Sequence, residues 1–351
     1  MIAPAVKLGL IGLGRISKIH LKCITKVKEA ELAAVCDIDK KQLERVSQEY
    51  GVKGFWDYKE LVDYPGVEAV MILTPPETHF EIVEYVLKAN KDVFCEKPLA
   101  ITNTEARAMQ KLAAKKKGVF QVGFTERYNE GFAIVPRMIE DGLIGTPFMM
   151  RSKRDIPAQF VKDIDWIRDS KRGGGPLAEC LIHDIDLARW FLKSEVVAVT
   201  ASSYQAVFEY FDNVLVLLEF ENGALASLSS SWTLSSRSQW CAFCELLGTE
   251  GSLEVKNPPQ GWVEVNSAKP VDPSYPFSVH NKSGSGLNNV MLDLPHYSFK
   301  SGAYINQLRD FINCILKGKT PLAGINEGVA AMKVVEAALQ SIAKNSKIQL
   351  S

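Results

Sequence analysis

The sequence predicts two folded parts: a doubly wound α/β domain with a parallel sheet over residues 1–125, and an α+β domain with a large open, mainly antiparallel sheet over 126–351. Three observations carry this. Up to about residue 125 short apolar runs alternate with helical periodicity, as a parallel sheet covered by crossover helices requires. From residue 144 strand-like runs follow one another with a single long helical pattern among them, as an antiparallel sheet requires. The length, 351 residues with 46% hydrophobic, exceeds one ordinary core and suits two.

In the first part the apolar runs are "VKLGLIG" (6–12), "ELAAVCD" (31–37), "VEAVMIL" (67–73), "DVFCE" (92–96) and "GVFQVGF" (118–124). Helical patterns fill 15–28, 39–50, 77–90 and 103–117. The runs are continuous rather than alternating, the mark of strands buried on both faces. In the second part "PFMMRSKRDI", "VVAVTASSYQ", "NVLVLLEF", "GALASLSSSW" and "WVEVN" read as strands, with one helix over 176–192. Asn222-Gly223 between two of them is a hairpin signal. Residues 256–300, rich in Pro, Gly, Ser and Asn, are expected to form excursions rather than a further domain. Two terminal helical patterns, 302–317 and 326–343, carry no sign of which domain they pack on. No internal repeat is present.

Charge and cysteine usage narrow the function classes. Lysine plus arginine equal aspartate plus glutamate at 41 each, which argues against nucleic acid or an anionic membrane as the main partner. Seven scattered cysteines and a start without a charged leader predict a reducing, cytoplasmic setting. No apolar run approaches membrane-spanning length. "CAFC" (241–244) is the only CxxC, and with no second pair at zinc spacing it reads as two strand cysteines on opposite faces, so no metal is expected.

Chemistry begins at the first strand-to-helix turn, "LIGLGRISKIH". Gly12 and Gly14 allow a tight turn and close approach of a pyrophosphate, whose charge is met by N–H groups at the helix start, at Arg15 and Ile16. Ser17 replaces the third glycine of the fingerprint and is still small. Asp37, closing the next strand, can accept hydrogen bonds from both ribose hydroxyls and would repel a 2′-phosphate. The domain is therefore expected to be a Rossmann fold binding NAD, with Lys40 and Lys41 keeping NADP open.

Ligands of such sheets bind outside the carboxyl ends of the strands. "TPPETH" (74–79) and "EKP" (96–98) both follow strand runs and should face that crevice. In "GGGPLAECLIHDIDLARWF" (173–191), Glu179, His183, Asp186 and Trp190 form one helical stripe, and Leu177, Leu181, Ala188 and Phe191 another that should face the core. A histidine flanked by carboxylates on its own face suits a general base, and a solvated face with incidental ion pairing is the alternative. His79 lines the cofactor crevice or caps its helix. Arg127 makes a junction contact or binds substrate, and Trp166 walls the nicotinamide site or anchors its loop.

The series "GLGRISKIH", "VCD", "TPPETHF", "FCEKPLA", "VGFTERYN" and "GGGPLAECLIHDIDLARW", in this order, resembles the Gfo/Idh/MocA oxidoreductases, the glucose-fructose oxidoreductase and inositol dehydrogenase group, over nearly the whole chain. The resemblance implies that Lys97 and His183 are the proton-handling pair and that Glu179 binds and orients the substrate. It also implies that Thr74, Pro75, Glu96 and Lys97 lie against the nicotinamide ribose, and that the second domain's open sheet serves substrate and subunit contacts in a homodimer or homotetramer. Three positions depart from the usual pattern: Ser17 for Gly, Pro76 for Asn and Glu179 for Asp.

On this basis the expected reaction is hydride transfer between a secondary hydroxyl of a sugar, cyclitol or related polyol and the nicotinamide. His183 would handle the hydroxyl proton and Lys97 the charge on the reacting oxygen. An NAD-dependent glycosidase using transient oxidation and a non-catalytic dinucleotide-binding regulator are the alternatives.

Overall fold

The computed structural model describes residues 5–169, 172, 174–235, 240–257, 262–267, 269, 271, 278–281, 289–293 and 302–350. The chain divides into two compact units: Met1–Tyr128 with Lys300–Met332, and Asn129–Phe299 with Lys333–Ser351.

The first unit carries strands β1 (Val6–Ile11), β2 (Ala30–Cys36), β3 (Lys53–Phe55), β4 (Ala69–Ile72), β5 (Asp92–Cys95) and β6 (Phe120–Val122). They form one sheet in the order β3-β2-β1-β4-β5-β6, every pair parallel. β4 is buried at all its residues, the outcome expected of a central strand covered on both faces. β3 and the short helix Tyr58–Asp63 were not legible as separate elements, because β3 is three residues long and buries only Phe55. The crossover helices have chemical stops. Asp39 accepts from the N–H groups of Lys41 and Gln42 to open Lys40–Tyr50, which ends at Gly51 in the left-handed region at φ 65°. Thr102 and Glu105 form a capping box on Asn103–Ala113.

The core joins Leu8, Leu10, Leu21, Met71 and Phe94 to Leu308, Phe311 and Ile312 of the helix Gly302–Lys317. Phe94 and Phe311 meet edge to face at 5.9 Å between ring centres. The first terminal helix thus belongs to this unit, and burying each such side chain contributes about 1.5–3 kcal/mol. Strand order reverses between β1 and β4, which opens the crevice at their carboxyl ends.

The second unit is built on β7 (Pro147–Pro157), β8 (Val196–Tyr204), β9 (Asn213–Phe220), β10 (Leu225–Leu234), β11 (Cys241–Gly248), β12 (Gly251–Asn257), β13 (Trp262–Ser267), β14 (Ser278–Asn281), β15 (Asn289–Asp293) and β16 (Ile348–Gln349). The order is β14-β15-β13-β12-β11-β7-β10-β9-β8-β16, and only β10 with β7 is a parallel pair. Asn222-Gly223 makes the expected hairpin between β9 and β10, with Gly223 at φ 85°. Val214, Val216, Leu218 and Phe220 of β9 are buried while Leu215 and Leu217 on the alternate face are exposed. "WVEVN" is β13 as expected, but the excursion expected over the rest of 256–300 needs correction: its described parts include β14 and β15, which extend the sheet further. Strands of four and five residues were hidden there by the surrounding Gly, Pro and Asn. "CAFC" opens β11 with Cys244 buried and Cys241 on the other face. Among the described residues no three His, Cys, Asp or Glu side chains cluster as metal ligands.

Candidate active site

In the first unit the glycine turn after β1 is shaped by two different demands. Gly12 has φ 94°, and a Cβ there would lie 2.8–2.9 Å from the Leu73 carbonyl group and the Thr74 nitrogen. Gly14 has no positive φ, and nothing lies within 4 Å of its missing Cβ. The first glycine is therefore needed by the fold and the second leaves open space over the turn, the cradle a pyrophosphate would fill. The helix begins at Ser17, two residues later than the sequence periodicity indicates, and ends at Ile24. Ser17 is buried and its hydroxyl donates to the Gly14 carbonyl at 2.7 Å, so the residue in the third glycine position pins the turn.

Asp37 follows β2 and accepts from the Leu13 N–H at 2.6 Å and the Asp39 N–H at 2.7 Å. A carboxylate offers about four lone-pair sites, so this leaves acceptor capacity for ribose hydroxyls. The residues present fit a bound dinucleotide. Gly12→Ala should lower apo-protein stability by about 1–3 kcal/mol in urea unfolding through strain at a left-handed position. Gly14→Ala should leave the unfolding midpoint in place yet weaken NAD at least about tenfold, because a methyl group occupies the cradle. A Gly14→Ala protein with unchanged NAD affinity in calorimetry would remove the pyrophosphate from this turn.

The turn after β4 is closed by the Thr78 hydroxyl on Thr74 Oγ1 at 2.7 Å and on the Pro75 carbonyl. His79 is fully buried, with Nε2 2.8 Å from the Thr74 carbonyl and Nδ1 3.0 Å from the Pro98 carbonyl. Burial pushes this imidazole toward its neutral form, against the pull of the two carbonyls and of Glu96. This geometry makes His79 a tie between the turns after β4 and β5, a part distinct from the two expected of it.

At the end of β5, Glu96 is 7% exposed. Its Oε1 lies 3.0 Å from His20 Nε2, and its Oε2 accepts the Lys97 N–H at 3.1 Å. The carboxylate also presses on Gly123, where a Cβ would come within 2.6 Å of Oε2. Lys97 is half-buried, and the peptide to Pro98 is cis. Arg127 is buried in the turn Thr125–Tyr128, where its Nη1 donates to the Leu322 carbonyl at 2.7 Å.

In the second unit the candidate helix opens with a π-helical turn, Leu177–Leu181, and continues as α-helix Ile182–Leu192. Leu177, Leu181, Ala188 and Phe191 are buried as the periodicity requires. On the other stripe Glu179 and His183 are half-buried and Asp186 is buried, which excludes a solvated face. Gly173 lies outside the described residues. Gly174 is pressed on the preceding turn, since a Cβ would fall 2.1 Å from the Ile167 carbonyl oxygen, and Gly175 sits at φ 95° and donates to that same oxygen. Trp166 packs with Tyr210 and Phe208 against Val161, Ile167, Cys180 and Trp232. Its placement anchors the loop that the glycines rest on.

Two groups escaped the sequence reading. His20 lay within the quoted stretch, and its signal was a polar residue three after Ser17 on the apolar side of the helix, with Leu21 and Ile24. Asp184, next to His183, is wholly buried and bound by Arg154 of β7, Nε to Oδ2 at 2.7 Å, with the Ser152 hydroxyl 2.5 Å from Oδ1. No one-dimensional signal marks that pair, because β7 and the helix are separate in sequence.

Comparisons with known proteins agree with this architecture. Residues 6–124 match the model of the oxidoreductase family, NAD-binding Rossmann fold, and residues 137–350 that of its C-terminal alpha/beta domain. The chain is 30% identical to inositol 2-dehydrogenase of Rhizobium meliloti over 99% of each chain. It is 29% identical to the scyllo-inositol 2-dehydrogenase (NAD(+)) of Bacillus subtilis, covering 98% of this chain and 96% of the relative. Among solved structures, the myo-inositol 2-dehydrogenase of Lactobacillus plantarum superposes with a TM-score of 0.81 at 23% identity, over 99% of this chain and 100% of the other, a likeness of fold. The glycine turn with its open cradle, Asp37, the EKP turn and the Gly-rich helix all stand on a chain matched along nearly its full length, and the protein belongs to the Gfo/Idh/MocA family of NAD-binding oxidoreductases.

Proposed function

We propose that this protein oxidises a secondary hydroxyl of a cyclitol, sugar or related polyol with NAD. The observation that carries the reading is the end-to-end likeness to inositol dehydrogenases of a chain that keeps Lys97, Glu179 and His183 together with the open glycine cradle. The glycine turn, Asp37 and the turn at Thr74 and Pro75 would hold the dinucleotide, which would supply the hydride acceptor for the carbinol carbon. His183 takes the hydroxyl proton, as a half-buried imidazole with adjacent carboxylates can. Lys97 places positive charge at the same oxygen and lowers the cost of its developing negative charge. Glu179 accepts from a neighbouring hydroxyl and orients the ring. Arg127 and Trp166 serve as loop anchors, a role supported by the Leu322 bond of the first and the packing of the second.

Seven free cysteines support a reducing, cytoplasmic setting. No helix among the described residues is long and apolar enough to cross a membrane. Leu215, Leu217, Leu225 and Tyr204 are exposed on the strands β8 to β10, and this supports self-association through the sheet as a homodimer or homotetramer.

A panel of inositols, aldoses and nucleotide sugars, offered with NAD and with NADP, tests the reading at the reduced-nicotinamide absorbance band. Net reduction with at least one cyclitol or sugar, and at least about tenfold better kcat/KM for NAD than NADP, is the expected result. Release of free sugar from a glycoside without net reduction would replace the dehydrogenase with a hydrolase.

A further inference from the structure

A phenol in the second unit carries a hydroxyl that the fold leaves unused. Tyr210 lies in the loop between β8 and β9, and its hydroxyl is buried with no hydrogen-bond partner among the described residues. A tyrosine hydroxyl taken out of water normally finds a partner, because leaving it unpaired costs stability that a phenylalanine would not lose.

The loop is built to hold this ring still. Asp212, wholly buried, accepts the N–H groups of Ala206, Val207 and Phe208 at 2.9, 2.6 and 2.9 Å and the side-chain amide of Asn213 at 2.7 Å. The Tyr210 ring stacks on Phe208 at 6.3 Å and meets Trp232 edge-on at 6.4 Å between ring centres. Trp232 is in turn tied to the candidate helix, its Nε1 donating to Cys180 Sγ at 3.1 Å.

The hydroxyl-bearing edge of the ring faces the Gly-rich approach to that helix. A Cβ on Gly175 would find Tyr210 Cε2 at 3.9 Å and no other described atom within 4 Å. Gly175 accepts the Glu179 N–H at 2.9 Å, so Gly175, Glu179 and His183 follow one another at steps of four along one line. Burial pushes the phenol upward, with Arg168 opposing and the charges of Asp212 and Glu179 reinforcing the shift, so the group stays a protonated donor.

We propose that Tyr210 is a further substrate-binding residue, whose hydroxyl donates to a ring hydroxyl of the polyol other than the one oxidised. Three groups then read three parts of one substrate: His183 the reacting hydroxyl, Glu179 its neighbour, and Tyr210 a hydroxyl farther round the ring. This selects a cyclic polyol over a simple secondary alcohol, because an alcohol without the far hydroxyl leaves the phenol unpaired. The inference deepens the reading above and rests on His183 and Glu179 facing the substrate.

The test is Tyr210→Phe in the full chain, with myo-inositol, scyllo-inositol and D-glucose and their monodeoxy derivatives as probes. Two readouts are taken: steady-state turnover with NAD, and the calorimetric affinity of each probe for the NADH-loaded protein. The variant should bind at least one intact probe about tenfold more weakly and raise its KM to match, with kcat within about threefold. One monodeoxy derivative of that probe should bind parent and variant alike, because it lacks the hydroxyl that Tyr210 meets. NADH affinity should stay within about twofold, and the urea midpoint should hold or rise, since the lost hydroxyl bonds nothing in the protein. A fallen midpoint with the same loss for every derivative would make the phenol structural, and unchanged affinity for every probe would remove it from the substrate; either result overturns the proposal. Probe affinity that depends on Tyr210 without any turnover would defeat the dehydrogenase reading and leave this one standing. Failure of every probe to bind the parent protein overturns this proposal.

Discussion

Replacing His183 with alanine will cut turnover of a reactive polyol by roughly two to four orders of magnitude, with NAD affinity within a few-fold of the parent. Lys97→Ala will do the same. The size follows from what each group does for a secondary alcohol, whose proton is held far too tightly to leave unassisted near neutral pH. Without an imidazole the alkoxide must form in water, and without the ammonium its charge meets no fixed cation. His183 sits one turn beyond Glu179 on a helix whose opposite stripe, Leu177, Leu181, Ala188 and Phe191, is buried, so truncating the imidazole removes chemistry and little packing. Stability in urea should therefore stay within about 1 kcal/mol of the parent for His183→Ala, since this residue is half-buried. Single-turnover kinetics at saturating NAD separate the effect on chemistry from any on binding. Turnover within about threefold of the parent in either variant would sink the assignment. Because Glu179 stands where family members usually carry Asp, Glu179→Asp should alter the ranking of polyols in kcat/KM more than it alters NAD binding.

The fold was legible where the sequence repeats a physical constraint many times, and obscure where one element depends on a distant one. The continuous runs that became β1, β2, β4, β5 and β6 each reflect burial on two faces, and the alternation in "NVLVLLEF" reflects burial on one. β3, with one buried residue, carries too little of that signal, and β14 and β15 are broken up by turn residues. At the candidate site the asymmetry is chemical. Gly12, Gly14 and Asp37 were readable because a turn at a strand end has local requirements that glycine and aspartate meet. A carboxylate at the end of a buried strand has no local explanation: Glu96 is accommodated by His20, 76 residues earlier, and by the missing side chain of Gly123. The terminal helix 302–317 likewise reads as amphipathic without saying which core receives Phe311.

The buried pair between β7 and the candidate helix leads to the largest expected loss of stability. Arg154, 2% exposed, donates from Nε and Nη2 to the two oxygens of Asp184 at 2.7 and 3.4 Å, and its guanidinium lies 5.5 Å from the centre of the Trp240 ring. Arg154→Met leaves Asp184 as an unpaired carboxylate with only the Ser152 hydroxyl beside it, and should destabilise the protein by about 3–5 kcal/mol in equilibrium urea unfolding. Much of that loss is the cost of the stranded charge rather than the value of the pair, because removing two ions from water offsets most of their attraction. The double variant Arg154→Met with Asp184→Leu, which clears both charges, should therefore recover more than half of the loss. A second readout separates stability from function. Asp184 directly follows His183 on a helix that this pair fastens to the sheet, so a double variant that regains its stability should still show impaired kcat, with NAD affinity unchanged, if the ion pair sets the orientation of the imidazole. Full recovery of both stability and kcat would limit Arg154 and Asp184 to holding the helix on the sheet, while a loss below about 1 kcal/mol in Arg154→Met would mean that Asp184 finds protons or water that the buried geometry denies it.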